Sequence, residues 1–566
     1  MTVSWQDIAE KLFPDINKSI ADIKAQYPDR SAGMVVTRFA PSPTWFLHLW
    51  GVFSSFVSWK YATQNNGVFF LRIEDTDQKR EVEGGVDLII KGLTTFGMPI
   101  HEWPIGSSHA DVGNYGPYTQ SYRKHLYHTF VKELVAQGKA YPCWMTAEEM
   151  DSIREQQMKT KIAPGIYGNY SVWRNKSPEE LFQKLQESYP PVIRLRSHGN
   201  IQAKIIFDDI LRGKINMTDN YNDIVLLKSD GLPTYHMAHL VDDYLMGTTH
   251  VIRGEEWLTS VPLHLQLFAT FGLQAPMYCH LAPILKSDEG KKRKLSKRKD
   301  PEADVWFLFQ EWFAPEGILN YLMTIIDSWF EEWQKSHLDN TYHDFSISLE
   351  KMNKAGALFD MDKLKFMNNI YLSRLSNEEL FTQGKAWAEQ YHSTLYRHMH
   401  AQPDYALTAL RIERLTDKDP KRYSSYKDIA DNILFFFDEE WDSMKSIREE
   451  LYAANFTKNQ DSSALPQNDD IRNVFVQFVQ EYEKQLDLSM DVQSWFDQLK
   501  SLGKQFGFAS NNQEFKEGWY IGKIGDLAMF LRSQLCCATR TPDLYSVMQV
   551  MGKERVVRRL KEIVNG

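Results

Sequence analysis

Arg38, Glu74 and Arg253 are residue types that can hold an amino acid. Two arginines and one carboxylate match the two anions and one ammonium of an acidic amino acid. Taken singly, each is as well explained as half of a structural ion pair. His48 belongs to a second constellation. At a helix start, free backbone N–H groups and the helix dipole favour phosphate, and an imidazole there can donate to charge building on a transferring phosphate. On its own, His48 reads more readily as a helix cap. A third feature is the run Lys291 to Lys299, with seven bases in nine positions, which suits a mobile lysine loop closing over phosphates or a plain solvated surface. His236, His239, Asp242 and Asp243 have spacing compatible with a metal, but Tyr235 is adjacent and no cysteine is near, so no metal site is expected.

These side chains need a scaffold. Val35–Phe39 reads as a short strand, and Pro41 and Pro43 keep the following residues extended. A helix is predicted from near His48 through Phe53, Phe56, Val57, Trp59 and Tyr61, stopping at Asn65-Asn66-Gly67. Val68–Ile73 is then a second strand, so strand, helix and strand form a βαβ unit of a parallel sheet. Ligands bind such sheets at the carboxyl ends of the strands, where Arg38, Glu74 and His48 fall. From about 114 to 222 the alternation lapses, with helices over Tyr122–Gln137 and Thr146–Lys159 and a strand at Pro191–Arg196. The sheet is expected to resume at Asp223–Lys228, followed by a turn at Asp230-Gly231, a helix over Tyr235–Tyr244 and a strand at Thr249–Arg253. Ser287–Gly290 reads as a polar, flexible lead into the basic run. Beyond about 300 the chain is mostly helical, with a loop at Asn459–Asp470.

The bulk numbers exclude several classes. A chain of 566 residues is too long for one core. Hydrophobic content of 43% and charged content of 25% are ordinary for a globular protein. Four sparse cysteines give neither a disulfide framework nor zinc spacing, which fits a reducing cytosol. The N-terminus lacks the features of a signal or transit peptide, and no apolar run reaches the ~20 residues of a membrane span. Trp5, Ile8, Leu12 and Phe13 fit one face of a short helix ended by Pro14. The net charge of −9 argues against nonspecific coating of nucleic acid. There is no Gly-x-Gly-x-x-Gly after a strand and no Walker-type Gly-Lys-Ser/Thr, which removes dinucleotide and P-loop readings.

Several ordered motifs across some 500 residues make the chain resemble the bacterial glutamyl-tRNA synthetases, class I aminoacyl-tRNA ligases. Arg38-Phe39-Ala40-Pro41-Ser42-Pro43-Thr44 and Leu71–Asp77 look like the family's amino-acid loop and second strand. His48-Leu49-Trp50-Gly51 stands where the first class I signature lies, and Lys294-Leu295-Ser296-Lys297-Arg298 resembles the second. Asp230–His236 and Val251–Leu258 are similar to two further segments. Gly525–Met529 and Pro542–Tyr545 resemble the anticodon-binding region.

The resemblance implies a Rossmann-like α/β parallel-sheet catalytic domain with an α/β insertion, followed by an all-α C-terminal half. The expected divisions are a helical extension at 1–32, the catalytic domain at 33–113 and 223–290, and an acceptor-end-binding insertion at 114–222. A signature-loop and stem-contact region at 291–375 and an anticodon-binding region at 376–566 complete them. It implies glutamate contacts from Arg38, Ala40, Ser42, Glu74, Tyr235, His239 and Arg253. ATP contacts are implied for His48, Gly51, Glu256, Trp257, Leu258, Lys294, Ser296 and Lys297, with His48 and Lys297 catalytic. The implied reaction activates glutamate with ATP, accompanied by Mg²⁺ and without protein-bound zinc, and transfers it to tRNA(Glu), with tRNA(Gln) as a second candidate. A cytoplasmic monomer with no membrane partner is the family expectation.

The sequence departs from the family pattern where Trp45 and Trp50 replace glycines beside the expected adenine site. Each indole can point away, fill the site, or shift the nucleotide and stack on it. A catalytically impaired tRNA-binding protein is therefore the alternative reading. A glutaminyl enzyme is less favoured, because Arg253 suits a carboxylate rather than an amide.

Overall fold

The computed structural model describes residues 2–43, 47–77, 82–105, 110–187, 189–296, 299–337, 340–414, 422–457, 468–518 and 520–565. The chain divides into two compact units. Unit 1 is Met1–Leu308 with Leu319–Asp360, and unit 2 is Phe309–Ile318 with Met361–Gly566.

Unit 1 opens with α1 (Trp5–Leu12) and α2 (Ile20–Lys24), each started by a serine capping box. Then come β1 (Val36–Phe39), α3 (Leu49–Gln64), β2 (Val68–Leu71) and α4 (Gly85–Thr95). After them follow β3 (Trp103–Ile105), β4 (Ala110–Val112), α5 (Lys124–Ala136), β5 (Ala140–Cys143), α6 (Ala147–Lys159) and α7 (Pro178–Glu187). Next are β6 (Val192–Leu195), β7 (Lys204–Asp209), β8 (Gly213–Thr218), β9 (Val225–Leu227) and α8 (Tyr235–Leu245). β10 (His250–Gly254), α9 (Val261–Thr270), β11 (Met277–Leu281), β12 (Leu285–Asp288) and β13 (Lys291–Lys294) complete the strands of this unit.

The expected βαβ unit is present: β1 and β2 pair in parallel, Arg38 opposite Phe70, with α3 between them. The Thr249 N–H donates to the Val36 carbonyl at 3.0 Å, which continues β1 into β10. β10 pairs in parallel with β11, β11 with β7, and β7 in antiparallel fashion with β8. The strand ends carrying Arg38, Glu74 and Arg253 thus share one edge of this sheet system. Ile8 of α1 and Phe13, the residue that ends it, are buried in one cluster with Phe130 of α5, Leu240 of α8 and Leu267 of α9.

Two sequence expectations are corrected here. The strand at 223–228 does not rejoin the parallel sheet: β9 runs antiparallel to β6, in the three-stranded sheet β5-β6-β9. β7, from the region read as an insertion, instead pairs with β11 at Asp209–Tyr278. An apolar run specifies a strand but not its partner, because pairing is decided by packing. The polar lead at 287–290 is not a loose tether. β12 and β13 form an antiparallel hairpin, Leu285 opposite Lys294, turned at Glu289-Gly290 with positive φ at both. Arg293 closes it with bonds of 2.6 Å to Asp288 and 2.6 Å to Asp300.

Unit 2 is built on helices. The described part begins with the C-terminal end of α10 (Val305–Gln310) and the start of α11 (Pro315–Ile326); α12 (Phe330–Ser336) belongs to unit 1. From Met361 onward come α13 (Met361–Arg374), α14 (Asn377–Tyr391), α15 (Ser393–Ala401), α16 (Pro403–Arg411), α17 (Tyr426–Ile433), α18 (Asp438–Ser443) and α19 (Lys445–Thr457). α20 (Asn468–Gln485), α21 (Val492–Gln505), α22 (Asn512–Glu517), α23 (Ile524–Cys536), α24 (Leu544–Met551) and α25 (Lys553–Asn565) follow. One core runs through Trp387, Phe436, Trp495, Leu531 and Leu560. Most of the loop expected at 459–470 lies outside the described residues, and its last three residues open α20 instead.

Trp312 holds φ at +86°, a conformation that L side chains adopt only with strain. Its ring stacks on Trp387 at 4.6 Å, and its carbonyl accepts from the Tyr426 N–H at 3.0 Å. Trp312→Gly and Trp312→Ala both lose the stack, but only the alanine keeps the strain. Urea unfolding should therefore find the glycine variant about 1 kcal/mol more stable than the alanine variant. Equal midpoints would show that the backbone there is relaxed.

Candidate active site

A cavity of about 330 Å³ opens at the carboxyl edge of the sheet. Arg38, Ala40, Ser42, His48, Gly51, Glu74, Tyr235, Arg253, Glu256 and Trp257 line it, so ten of the expected residues converge there. They come from the ends of β1 and β10, the first turn of α3, the segment after β2, the start of α8 and the 3-10 turn Glu255–Ser260.

Arg253 decides the chemistry of one end. Its side chain is 7% exposed, and each of its hydrogen-bond partners is neutral. Nε donates to His280 Nε2 at 3.0 Å, Nη1 to the Tyr235 hydroxyl at 2.9 Å, and Nη2 lies 3.3 Å from His264 Nδ1. His280 is itself held by Asp209 at 2.6 Å. A buried guanidinium whose direct partners are all neutral favours an incoming anion, since Asp209 reaches it only through His280.

Arg38 and Glu74 are anchored differently. Asp243 of α8 accepts from Arg72 Nη1 at 2.6 Å and from Arg38 Nε at 3.3 Å. Arg72 Nη2 reaches Glu74 Oε1 at 3.2 Å. Asp242 accepts from Arg123 Nε at 2.6 Å and Gln120 Nε2 at 2.8 Å. Burial opposes ionisation of Asp243, but Arg72 and Arg38 outweigh it and hold the carboxyl well below its usual range. Burial pushes the Glu74 carboxyl up, against the pull of Arg72 and Arg38. Asp242 and Asp243 are thus committed to arginines, which removes them as metal ligands. Arg72 and Arg123 were not singled out in the sequence, and Asp243 was weighed there only as a metal ligand; a charged residue inside an otherwise apolar strand, as Arg72 is, was the available signal.

His239 does not line the cavity, against expectation. It sits behind Tyr235, ring centroids 5.9 Å apart, with Nδ1 2.6 Å from Asp243 and Nε2 3.0 Å from the Tyr278 hydroxyl. At helical spacing a residue four positions after Tyr235 falls one turn further along α8. Leu258 is likewise outside the lining residues. Ser296 N–H is engaged by Asp300 at 2.9 Å, and Lys294 Nζ lies 3.4 Å from Glu256. Trp45 and Lys297 lie outside the described residues.

His48 is the N-cap of α3, but its side chain makes no capping bond; Nδ1 is 3.3 Å from the Ala303 carbonyl. Trp50 lines the cavity rather than pointing into core or solvent. Its ring is 5.4 Å from Phe53 and lies under Lys294 Nζ at 5.5 Å.

Around Arg253 the imidazoles are kept neutral. Burial, then the Arg253 charge, lowers His236 to about 4, and burial lowers His239 to about 4 against the opposing pull of Asp243. His264 is pushed well below its ordinary value by the same burial and its cationic neighbours. These folded values lie below the ordinary 6.5, so the unfolded chain binds more protons between about 6.5 and about 4. Stability is therefore present above that window and is lost as pH falls through it. Glu74 works in the opposite sense, one group against three. Moving from pH 7 to about pH 5.5 should cost about 1 kcal/mol per histidine. Urea midpoints at the two pH values test this, and an unchanged midpoint would refute it.

Comparison with known proteins agrees with this geometry. Residues 34–366 match the family described as tRNA synthetases class I (E and Q), catalytic domain, and residues 520–564 match an anticodon binding domain. The chain is 38% identical to a glutamate–tRNA ligase of Clostridium perfringens (strain SM101 / Type A) over 566 residues, covering 99% of this chain and 100% of that protein. It is 38% identical to that of Clostridium beijerinckii over 568 residues, covering 100% of both. Among solved structures it is similar to a glutamate tRNA ligase from Elizabethkingia meningosepticum in complex with its amino acid. That match has a TM-score of 0.70 and 28% identity over 94% of this chain and 99% of that one.

Proposed function

The chain belongs to the class I glutamate–tRNA ligases, and from that membership we propose how its own residues activate glutamate and pass it to tRNA. It is an aminoacyl-tRNA ligase. The observation that carries the assignment of roles is Arg253, a buried guanidinium with neutral partners only. Arg253 takes the side-chain carboxylate of glutamate, with the Tyr235 hydroxyl beside it. Glu74 receives the ammonium, and Arg38, held by Asp243, steadies the α-carboxylate.

That carboxylate attacks the α-phosphate of ATP, and the phosphate–oxygen bond to pyrophosphate breaks, leaving glutamyl-adenylate. The terminal ribose hydroxyl of tRNA then takes the glutamyl group, and AMP departs. The protein mainly positions the reactants and stabilises phosphate charge. His48 at the α3 N-terminus, the hairpin lysine Lys294 and Lys297 supply positive or hydrogen-bonding groups to the phosphates. His239 acts on glutamate indirectly, through Tyr235 and Asp243. Mg²⁺ carried by ATP would supply neutralisation of the phosphate charge. The region at 114–222 holds the acceptor end, and 376–566 reads the anticodon loop by stacking and edge hydrogen bonds. The substrate is tRNA(Glu), with tRNA(Gln) a second candidate, and the protein works as a cytoplasmic monomer. Among the described residues no helix is long and apolar enough to cross a membrane.

The test is ATP–pyrophosphate exchange in the presence of tRNA. Exchange should require glutamate and remain at background with glutamine; equal rates would overturn the role of Arg253. The non-catalytic alternative draws no support from the relatives, which are ligases. Trp50 nevertheless narrows the ATP end. The cavity of about 330 Å³ is at the small end for a ligand pocket, and an indole occupies its wall. Trp50→Gly should raise kcat/KM for ATP about tenfold, roughly 1.4 kcal/mol. No change would place the nucleotide away from this wall.

A further inference from the structure

Unit 2 contains a cavity of its own, about 540 Å³, among Trp441, Arg448, Tyr452, Arg472 and Gln534. Arg448 of α19 is 8% exposed. Its Nη1 donates to the Trp441 carbonyl and lies 4.0 Å from Cys537 Sγ, and its guanidinium carbon sits 3.5 Å above the Trp441 ring. The acids at the cavity rim belong to other cations: Glu449 lies 3.9 Å from Lys445, and Glu562 3.2 Å from Arg558. Among the described residues Arg448 has no carboxylate partner, and its Nε and Nη2 have no acceptor. Its outer edge therefore offers two parallel N–H donors to a half-open cavity that Arg448 lines.

The other walls define what would meet that edge. Gln534 donates through Nε2 to the Arg448 carbonyl at 3.2 Å, while its Oε1 accepts from no described residue. Tyr452 presents a ring, with the Arg472 guanidinium 5.5 Å over it. Lys445 and Arg472 are exposed. A bare phosphate would need neither the rings, the amide acceptor nor so large a space. A planar ring with two adjacent acceptors on one edge and donors on another uses all of them. Among nucleobases that edge is the O6/N7 pair of guanine, which arginine recognises through two parallel bonds.

We propose that this cavity binds a guanine nucleotide, with the base against Arg448 and Gln534 and the phosphate toward Lys445 and Arg472. A free nucleotide and an unpaired guanine of bound tRNA share this chemistry. Only the second source rests on the tRNA-charging function.

The test is calorimetric titration of the full chain with GMP, AMP and inorganic phosphate. GMP should bind at least about tenfold more tightly than either of the others. Arg448→Lys keeps the charge but loses the fork, and it should weaken GMP binding at least about tenfold, as should Arg448→Gln. Lys445→Ala, at an exposed site where folding is not at stake, should weaken it severalfold. A tRNA that displaces GMP identifies the RNA as the source; GMP and tRNA bound together identify the free nucleotide. The proposal is overturned by no GMP binding at millimolar concentration, by AMP or phosphate binding as well as GMP, or by GMP affinity indifferent to Arg448 and Lys445. Failure to charge tRNA with GMP binding intact would count against the ligase mechanism and not against this cavity.

Discussion

Arg253→Gln should lower kcat/KM for glutamate by about 10³-fold, close to 4 kcal/mol, while leaving the free protein as stable as before or more so. The two halves of this expectation have one cause. The guanidinium is buried with neutral partners, His280, Tyr235 and His264, so the free protein bears a charge that no carboxylate contacts directly. A glutamate carboxylate would offset it, and the ligand then gains what the fold gave up. Glutamine at this position removes the buried charge and the attraction together. Arg253→Lys retains a charge without the fork and should fall between the two. ATP–pyrophosphate exchange at varied glutamate gives the first quantity and urea unfolding the second. A loss of activity accompanied by a loss of several kcal/mol of stability would mean that Arg253 is a structural residue.

Asp243→Asn should show the opposite pattern. It should destabilise unit 1 by about 3–5 kcal/mol, because Arg72 and Arg38 would remain buried without their shared anion. The substitution keeps the shape of the side chain, so packing is not the issue. Glutamate use should fall as well, since Arg38 loses the group that fixes its direction. Urea unfolding with a drop below about 1 kcal/mol would show that Arg72 and Arg38 find other partners. The contrast between the two substitutions separates a charge kept for a ligand from a charge kept for the fold.

Much of the scaffold around these residues was legible locally. The βαβ unit, the start of α3 at His48 and the extent of α8 follow from apolar spacing, prolines and the Asn-Asn-Gly stop. What was not legible depends on distant partners. Nothing around Leu226 says that β9 pairs with β6, and nothing around Ser287 says that it faces Lys292 in a hairpin. The same holds for charge. Arg38 and Arg253 look alike in sequence, yet one is tied to Asp243 and the other faces neutral rings, a difference made by residues 205 and 27 positions away. Ten expected residues converge on one cavity because the family motifs carry that long-range information. His239 and Leu258 stand outside it because helical phase and the 3-10 turn set directions that a motif does not state.

The discontinuity of the units bears on how the protein is made. Unit 1 includes Leu319–Asp360, and unit 2 includes Phe309–Ile318. On the ribosome, unit 1 cannot close its boundary until residue 360 has emerged. By then the first piece of unit 2 has already been synthesised and has no partner. Trp387 will donate to the Phe309 carbonyl at 2.9 Å, and Asn368 will accept from the Ala314 N–H at 3.0 Å, but both lie downstream. The two units therefore do not mature in strict succession, as adjoining domains do. A truncation that starts unit 2 at residue 361 would be born without the segment against which Trp387 and Asn368 settle.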